Sequence, residues 1–297
     1  MKIGVVFPQT EIGNDPEAIR DWAVSVEAMG YNHILAYDHI LGANRDRHRD
    51  LTGPYGHHHA FHEPFVLFSF LAGAVARVEF ATGIIILPQR QTALVAKQAA
   101  AVDVLSRGRL RLGVAVGWNH VEYEALGQDF HARGRRIEEQ IDVLRALWTN
   151  ELVTLDLREH RITDAGINPL PVQRPIPVWM GGHSDVVMRR AARLADGWIW
   201  SFGSGHLRPG DQAQATVNQA HELVAASGRD PSAFGIEGRM ALARIAPDQW
   251  QDEISAWRRM HGVTHLCVDT MGMGLAKPDQ HIDVLRRLKE AAAIGRR

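Results

Sequence analysis

One cysteine, Cys267, is all the thiol the chain carries, so an internal disulfide is excluded and a reducing compartment is expected. Its apolar neighbours Leu266 and Val268 mark it as a buried strand residue rather than a nucleophile. Long hydrophobic runs are also missing: the longest, residues 64–76, falls short of the roughly 20 residues a bilayer-spanning helix needs. The sequence enters a strand at Lys2, which leaves no room for a secretory signal and gives a cytoplasmic expectation. Charge of one sign is absent as well. The formal net charge is −1 and no basic cluster is interleaved with aromatics, so neither nucleic acid nor an acidic membrane is expected as a partner. No G-x-G-x-x-G follows the first strand and no phosphate-binding P-loop occurs, which argues against an open dinucleotide- or nucleotide-binding sheet. Internal repeats and low-complexity linkers are lacking, so residues 1–297 are expected to form a single domain.

What is present is an ordinary globular composition, 45% hydrophobic and 23% charged, in an alternating pattern. Strands are predicted at 2–7, 33–37, 79–87, 110–116, 177–180, 197–200, 235–242 and 265–269. Helices are predicted at 16–29, 64–76, 92–106, 135–148, 184–194, 211–226, 249–261 and 280–292. Eight of each predict an α/β fold, a closed (β/α)8 TIM barrel. Two insertions interrupt the alternation: residues 39–63 after strand two, and residues 151–173 before strand five. The second holds two short β-like runs, 152–155 and 160–163, followed by Pro169, Pro171, Pro175 and Pro177, which read as extended chain.

The richest stretch is 77–127. Residues 79–87 form a β-branched run broken by Gly83, and a glycine inside a strand marks a bulge or a close approach. Residues 110–116 alternate Leu110, Leu112, Val114 and Val116 with Arg111, Gly113 and Ala115, one large apolar face against one mostly small face. Barrel enzymes keep their chemistry at the C-terminal ends of the strands. Three groups there suit chemistry or cofactor binding: Asp38 with His39 as an acid/base pair, Trp118 with Asn119 for stacking and hydrogen bonding, and Gly181-Gly182-His183-Ser184 at a helix start. Two glycines and a helix N-terminus suit a phosphate. Each also has a plain reading: Asp-His as turn chemistry, Gly-Gly-His-Ser as a tight turn with an N-cap serine, Gly83 as a packing bulge. Of Trp118, Trp179, Trp198 and Trp200, only Trp118 is expected to face the site.

In order and spacing, G-V-V-F-P, A-M-G-Y, A-Y-D-H-I, T-G-I-I-I-L-P with Arg90, D-V-L-S-R-G-R-L-R-L-G-V, G-W-N-H-V-E-Y-E-A-L-G, P-L-P-V-Q-R-P-I-P-V-W-M-G-G and A-D-G-W cover nearly the whole chain. Together they resemble the luciferase-like monooxygenase superfamily, and within it the oxidoreductases that use the 5-deazaflavin coenzyme F420. The resemblance implies that His39 lies near the reactive carbon of the deazaflavin as proton donor or acceptor, with Asp38 either holding its tautomer or capping a turn. It implies a non-proline cis peptide at Gly83-Ile84 behind the ring. It places Gly117, Trp118, Asn119 and Glu122 against the polar tail of the cofactor and Gly181, Gly182, His183 and Ser184 against its phosphate. The implied reaction is hydride transfer between F420 and a small organic substrate.

Other readings stay open. FMN in place of F420 would make the protein a monooxygenase using reduced flavin and O2, with a flavin reductase as partner. A catalytically silent flavin binder and a metal-dependent barrel hydrolase are weaker alternatives. A homodimer is implied by the family and by the apolar helix 64–76, although burial within one chain explains that helix equally well. His57, His58 and His59, with His48 and His62, invite a metal reading, but consecutive histidines cannot all face one ion and no metal is expected. Residues 45–63 are expected to close over the cofactor instead. Arg239 and Arg244 are candidates for binding a carboxylate or the polyglutamate tail of F420.

Overall fold

The computed structural model describes residues 1–200 and 208–295. Its main sheet contains β1 (Lys2–Val6), β2 (His33–Ala36), β3 (Glu79–Thr82), β4 (Ile85–Ile86), β5 (Leu110–Ala115), β8 (Val178–Gly181), β9 (Gly197–Ile199), β10 (Gly235–Ala241) and β11 (His265–Asp269). All these strands run parallel in the order β3-β2-β1-β11-β10-β9-β8-β5-β4, and a further pairing of β3 with β5 closes the ring. The result is the expected TIM barrel of eight strands, with β4 continuing β3 beyond Gly83. The remaining strands, β6 (Val153–Asp156) and β7 (Arg161–Ala165), form an antiparallel hairpin in the second insertion.

Alternation along each strand sorts side chains into two populations. Ile3, Val5, Ile34, Phe80, Leu112, Val114, Val178 and Leu266 point outward into the layer under the helices. That layer also buries Trp22 of α1 (Pro16–Ala28), Ala96 of α3 (Thr92–Leu105), Trp148 of α5 (Arg133–Thr149) and Trp257 of α8 (Trp250–Arg259). Each buried Val, Leu, Ile or Phe among them contributes about 1.5–3 kcal/mol of burial free energy. Inside the barrel, His33, Glu79, Arg111, Glu237 and His265 form a polar layer. Arg111 donates from Nε to Glu79 at 2.6 Å and also binds Glu237, while His33 Nε2 lies 3.1 Å from Glu237. Burial alone would raise the Glu237 carboxyl, but Arg111 and His33 overcome it and hold it well below the usual carboxylate range. Nearer the strands' C-terminal ends, the interior turns apolar with Val6, Leu35, Tyr37, Ala81 and Cys267. Burial pushes the Cys267 thiol up, as expected of a strand residue.

The remaining helices are α2 (Pro64–Ala72), α4 (His120–Ala125), α6 (Asp185–Leu194), α7 (Asp211–Ala226) and α9 (Pro278–Ala292). Helix α2 buries Phe65, Leu67, Phe68 and Leu71 but leaves Val66 and Phe70 exposed, so burial within one chain accounts for only part of its apolar character. Among the described residues, no helix is long and apolar enough to cross a membrane.

Candidate active site

At the mouth of the barrel His39 and Asp38, though adjacent, serve different partners. His39 Nδ1 lies 3.2 Å from Glu122 Oε2, in the first turn of α4. Glu122 is fully buried, and its oxygens also accept from the amides of Ile40 and Leu41 and from Gln89 Nε2. Burial raises its carboxyl, but the bonds from His39 and the two amides outweigh that and leave it below the ordinary value. An ionised carboxylate only accepts, so Nδ1 carries the proton and Nε2 of the neutral ring holds the lone pair. Among the described residues Nε2 has no hydrogen-bond partner.

Asp38 faces the other way. Its Oδ2 accepts from the Ile86 amide at 3.0 Å and its Oδ1 from Arg90 at 2.7 Å, and Arg90 also binds Glu63 at 2.8 Å. Burial raises the Asp38 carboxyl, with Arg90 and the Ile86 amide pulling against it. Asp38 therefore ties β2 to β4 and to the start of α2, and Glu122 rather than Asp38 engages the His39 ring. Ile86 follows the Gly83–Ile84 peptide, which is cis, between β3 and β4.

The first insertion covers His39. The rings of Tyr55, Phe61 and Trp118 meet it edge-on at centroid distances of 5.5, 5.0 and 5.5 Å. Tyr55 and Phe61 come from residues 39–63, and both pack on the apolar interior formed by Leu35, Tyr37 and Cys267. Gly53 lies flat on Trp118: a Cβ there would sit 2.2 Å from Trp118 Cζ2. Trp118 is half-buried at the mouth, whereas Trp179, Trp198 and Trp200 are buried. Asn119 caps α4 by accepting from the Glu122 amide and donates to Leu41 O at 3.3 Å, so its amide locks the two loops together. Gly117 has a φ of +65°, a region that favours glycine.

Across the barrel, Gly181 ends β8 and Gly182 takes a φ of +139°. His183 and Ser184 are exposed, and Ser184 caps α6 by accepting from the Val187 amide. The Gly182 amide donates to Ile199 O at 3.3 Å. Arg239 is already paired with Asp269, with its guanidinium over the Tyr37 ring at 5.3 Å. Residues 201–205, which follow β9, lie outside the described residues.

Of the proposed site residues, the structure thus gathers His39, Glu122, Trp118 and Asn119 at one place, with Asp38 and Gly83-Ile84 on the adjoining strand ends. Gly181–Ser184 stand apart on β8 and α6. Gln89, Arg90, Tyr55 and Phe61 were assigned no role from sequence. Gln89 and Arg90 sit at a strand's C-terminal end, which was a usable signal; the two aromatics carry none.

The luciferase-like monooxygenase family profile matches residues 1–295. The chain belongs to this family. An F420-dependent glucose-6-phosphate dehydrogenase of Intrasporangium calvum is 30% identical over 74% of this chain and 63% of its own length. An FMNH2-dependent dimethylsulfone monooxygenase of Pseudomonas putida is 32% identical over 56% of this chain and 46% of its own. Among solved structures, an F420-dependent secondary alcohol dehydrogenase in complex with an F420–acetone adduct superimposes with a TM-score of 0.76 at 16% identity, covering 98% of both chains. Luciferase-like family members are oxidoreductases and monooxygenases, and both F420- and FMN-dependent enzymes stand near this chain.

Proposed function

We propose that this luciferase-like protein transfers a hydride between F420 and a small organic substrate, with His39 as the proton carrier. The observation that carries the reading is the His39–Glu122 pair, 3.2 Å apart at the barrel mouth, with Nε2 unbonded among the described residues. The residues suit a flat cofactor: aromatic edges around His39, a glycine at 117, and the N-terminus of α6 after Gly181 and Gly182 for a phosphate. Gly117 and Trp118 would lie against the cofactor's polar tail, and Gly181, Gly182, His183 and Ser184 would hold the phosphate. Asn119 and Glu122 spend their polar atoms on the loops around His39, so their part is positioning. When bound, F420 supplies the hydride or takes it up.

The protein's own contribution is the proton. In the reducing direction the His39 imidazolium donates from Nε2 to the substrate atom that gains electron density. In the oxidising direction the Nε2 lone pair accepts the hydroxyl proton. Glu122 stabilises the imidazolium and fixes the ring's orientation. Tyr55 and Phe61 exclude water from the site once it is closed. FMN is the second reading, favoured by the P. putida relative. Titrating the purified protein with F420 and FMN, each oxidised and reduced, with fluorescence as the readout, separates the two. Saturable binding of F420 alone is expected. Preference for reduced FMN would move the reaction to oxygen chemistry, and binding of neither would sink both readings.

A further inference from the structure

We infer that His48, Asp50 and His120 form a binding site for a divalent transition metal, Zn2+ foremost, that clamps the first insertion to α4. Nothing in the redox reading requires this site. The ligand atoms of the three residues lie within 4.8 Å of one another, and His120 Nε2 is 3.5 Å from Asp50 Oδ2. A tetrahedral zinc with ligands at its usual bond lengths holds neighbouring ligand atoms about 3.3 Å apart. One pair is therefore near its bound separation, and the third ligand closes by a side-chain movement of the order of 1 Å. His120 and Asp50 are both open to solvent, at 39% and 70% exposure, so such rotation is unobstructed.

The ligands' surroundings are built rather than loose. His48 and Asp50 sit on a turn in which the His48 amide bonds Asn44 O at 3.0 Å and Leu51 N bonds His48 O at 3.2 Å. Arg45 ties the same turn through Leu51 O at 3.1 Å and Gly53 O. The His120 ring meets Phe130 edge-on at 6.1 Å. Two imidazoles with one carboxylate form a ligand set that zinc takes with a fourth position left to water, whereas Ca2+ and Mg2+ favour oxygen ligands.

The other histidines of the insertion are engaged elsewhere. The rings of His57 and His58 lie against each other at 3.7 Å with their planes inclined at 41°, the His59 ring bonds within its own turn to Gly56, and His62 packs on Phe7. The buried group His33, Glu237 and Cys267 is a poor alternative, because Glu237 is bound by Arg111 and a second cation would be repelled. The clamp has a consequence for the site: His120 precedes Glu122 by less than one turn, so a metal bridging to His48 and Asp50 holds the insertion against the helix that orients His39.

Chelator-stripped protein titrated with ZnCl2 against a chromophoric competitor tests the inference. One Zn2+ per chain is expected. His120→Ala and His48→Ala should each weaken binding by at least about tenfold, the loss typical of disturbing a zinc shell. The triple variant His57→Ala, His58→Ala, His59→Ala should keep it. Zinc should also slow protease cleavage within residues 39–63 of the wild type and leave His120→Ala unaffected. Unchanged affinity in both single variants, or loss in the triple variant alone, would overturn the assignment.

Discussion

His39 and Glu122 form the smallest unit that sets what this site does. The Glu122 carboxylate accepts four hydrogen bonds, from His39, Gln89 and the amides of Ile40 and Leu41. Replacing it with glutamine points an amide NH2 at donors whichever way it is turned, leaving buried donors unsatisfied at a cost of about 1–3 kcal/mol. Glu122→Gln should therefore lower kcat for the F420-linked reaction while KM for substrate stays close to wild type. His39→Asn should lower kcat by about 10²–10⁴-fold, the usual worth of a positioned proton carrier. Steady-state kinetics with F420 titrated separately checks both: a His39→Asn enzyme of normal kcat would remove the residue from the chemistry. The sequence pointed to His39 and left Asp38 either holding its tautomer or capping a turn; in the structure Glu122 engages the ring. Asp38 is its chain neighbour, and at a strand end successive residues turn to opposite sides, one toward Arg90 and the other toward α4. The true partner is 83 residues away, a relation that no local pattern encodes.

Elements were legible where their pattern was strong. The eight barrel strands are short runs rich in apolar residues between turn residues, and Gly83 announced the break between β3 and β4. The hairpin β6–β7 showed itself in two β-like runs. Helix α4 did not, because its six residues bury only Glu122 and Tyr123 and carry no apolar stripe; the Asn119 cap and the contacts of Glu122 define it. The insertion 39–63 was legible as a covering segment but not in its contacts. Its closeness to Trp118 depends on Gly53, where any Cβ meets the indole at 2.2 Å. Gly53→Ala should lift the insertion from Trp118, so that proteases cut residues 39–63 faster than in the wild type while the far-UV circular dichroism stays the same. Equal cleavage rates would mean that Trp118 does not hold the insertion down.

At the scale of the whole barrel, two buried histidines govern how the fold answers to acid. Burial, with Arg111 and His33 nearby, pushes His265 down to about 3, and burial pushes His281 down to about 4. His265 lies in the polar layer inside the strands, its ring 4.9 Å from Trp179, and His281 hydrogen-bonds Thr270 at 2.8 Å behind the β11 loop. In the unfolded chain both regain an ordinary value near 6.5. Below that pH the unfolded chain binds protons that the folded chain refuses, so stability falls as pH drops, by about 1.4 kcal/mol per pH unit for each proton. The loss begins near pH 6.5, before most carboxylates titrate. Glu79, held at about 2 as Arg111 and its other cationic neighbours overcome burial, adds to the loss only below its ordinary value of 4.5. Urea unfolding at pH 7, 6 and 5 should thus show falling stability, and His281→Gln should remove a large part of the slope between pH 6 and 5 without changing the slope below about pH 3. Stability that stays level from pH 7 to 5 would show that both histidines take up protons in the folded barrel.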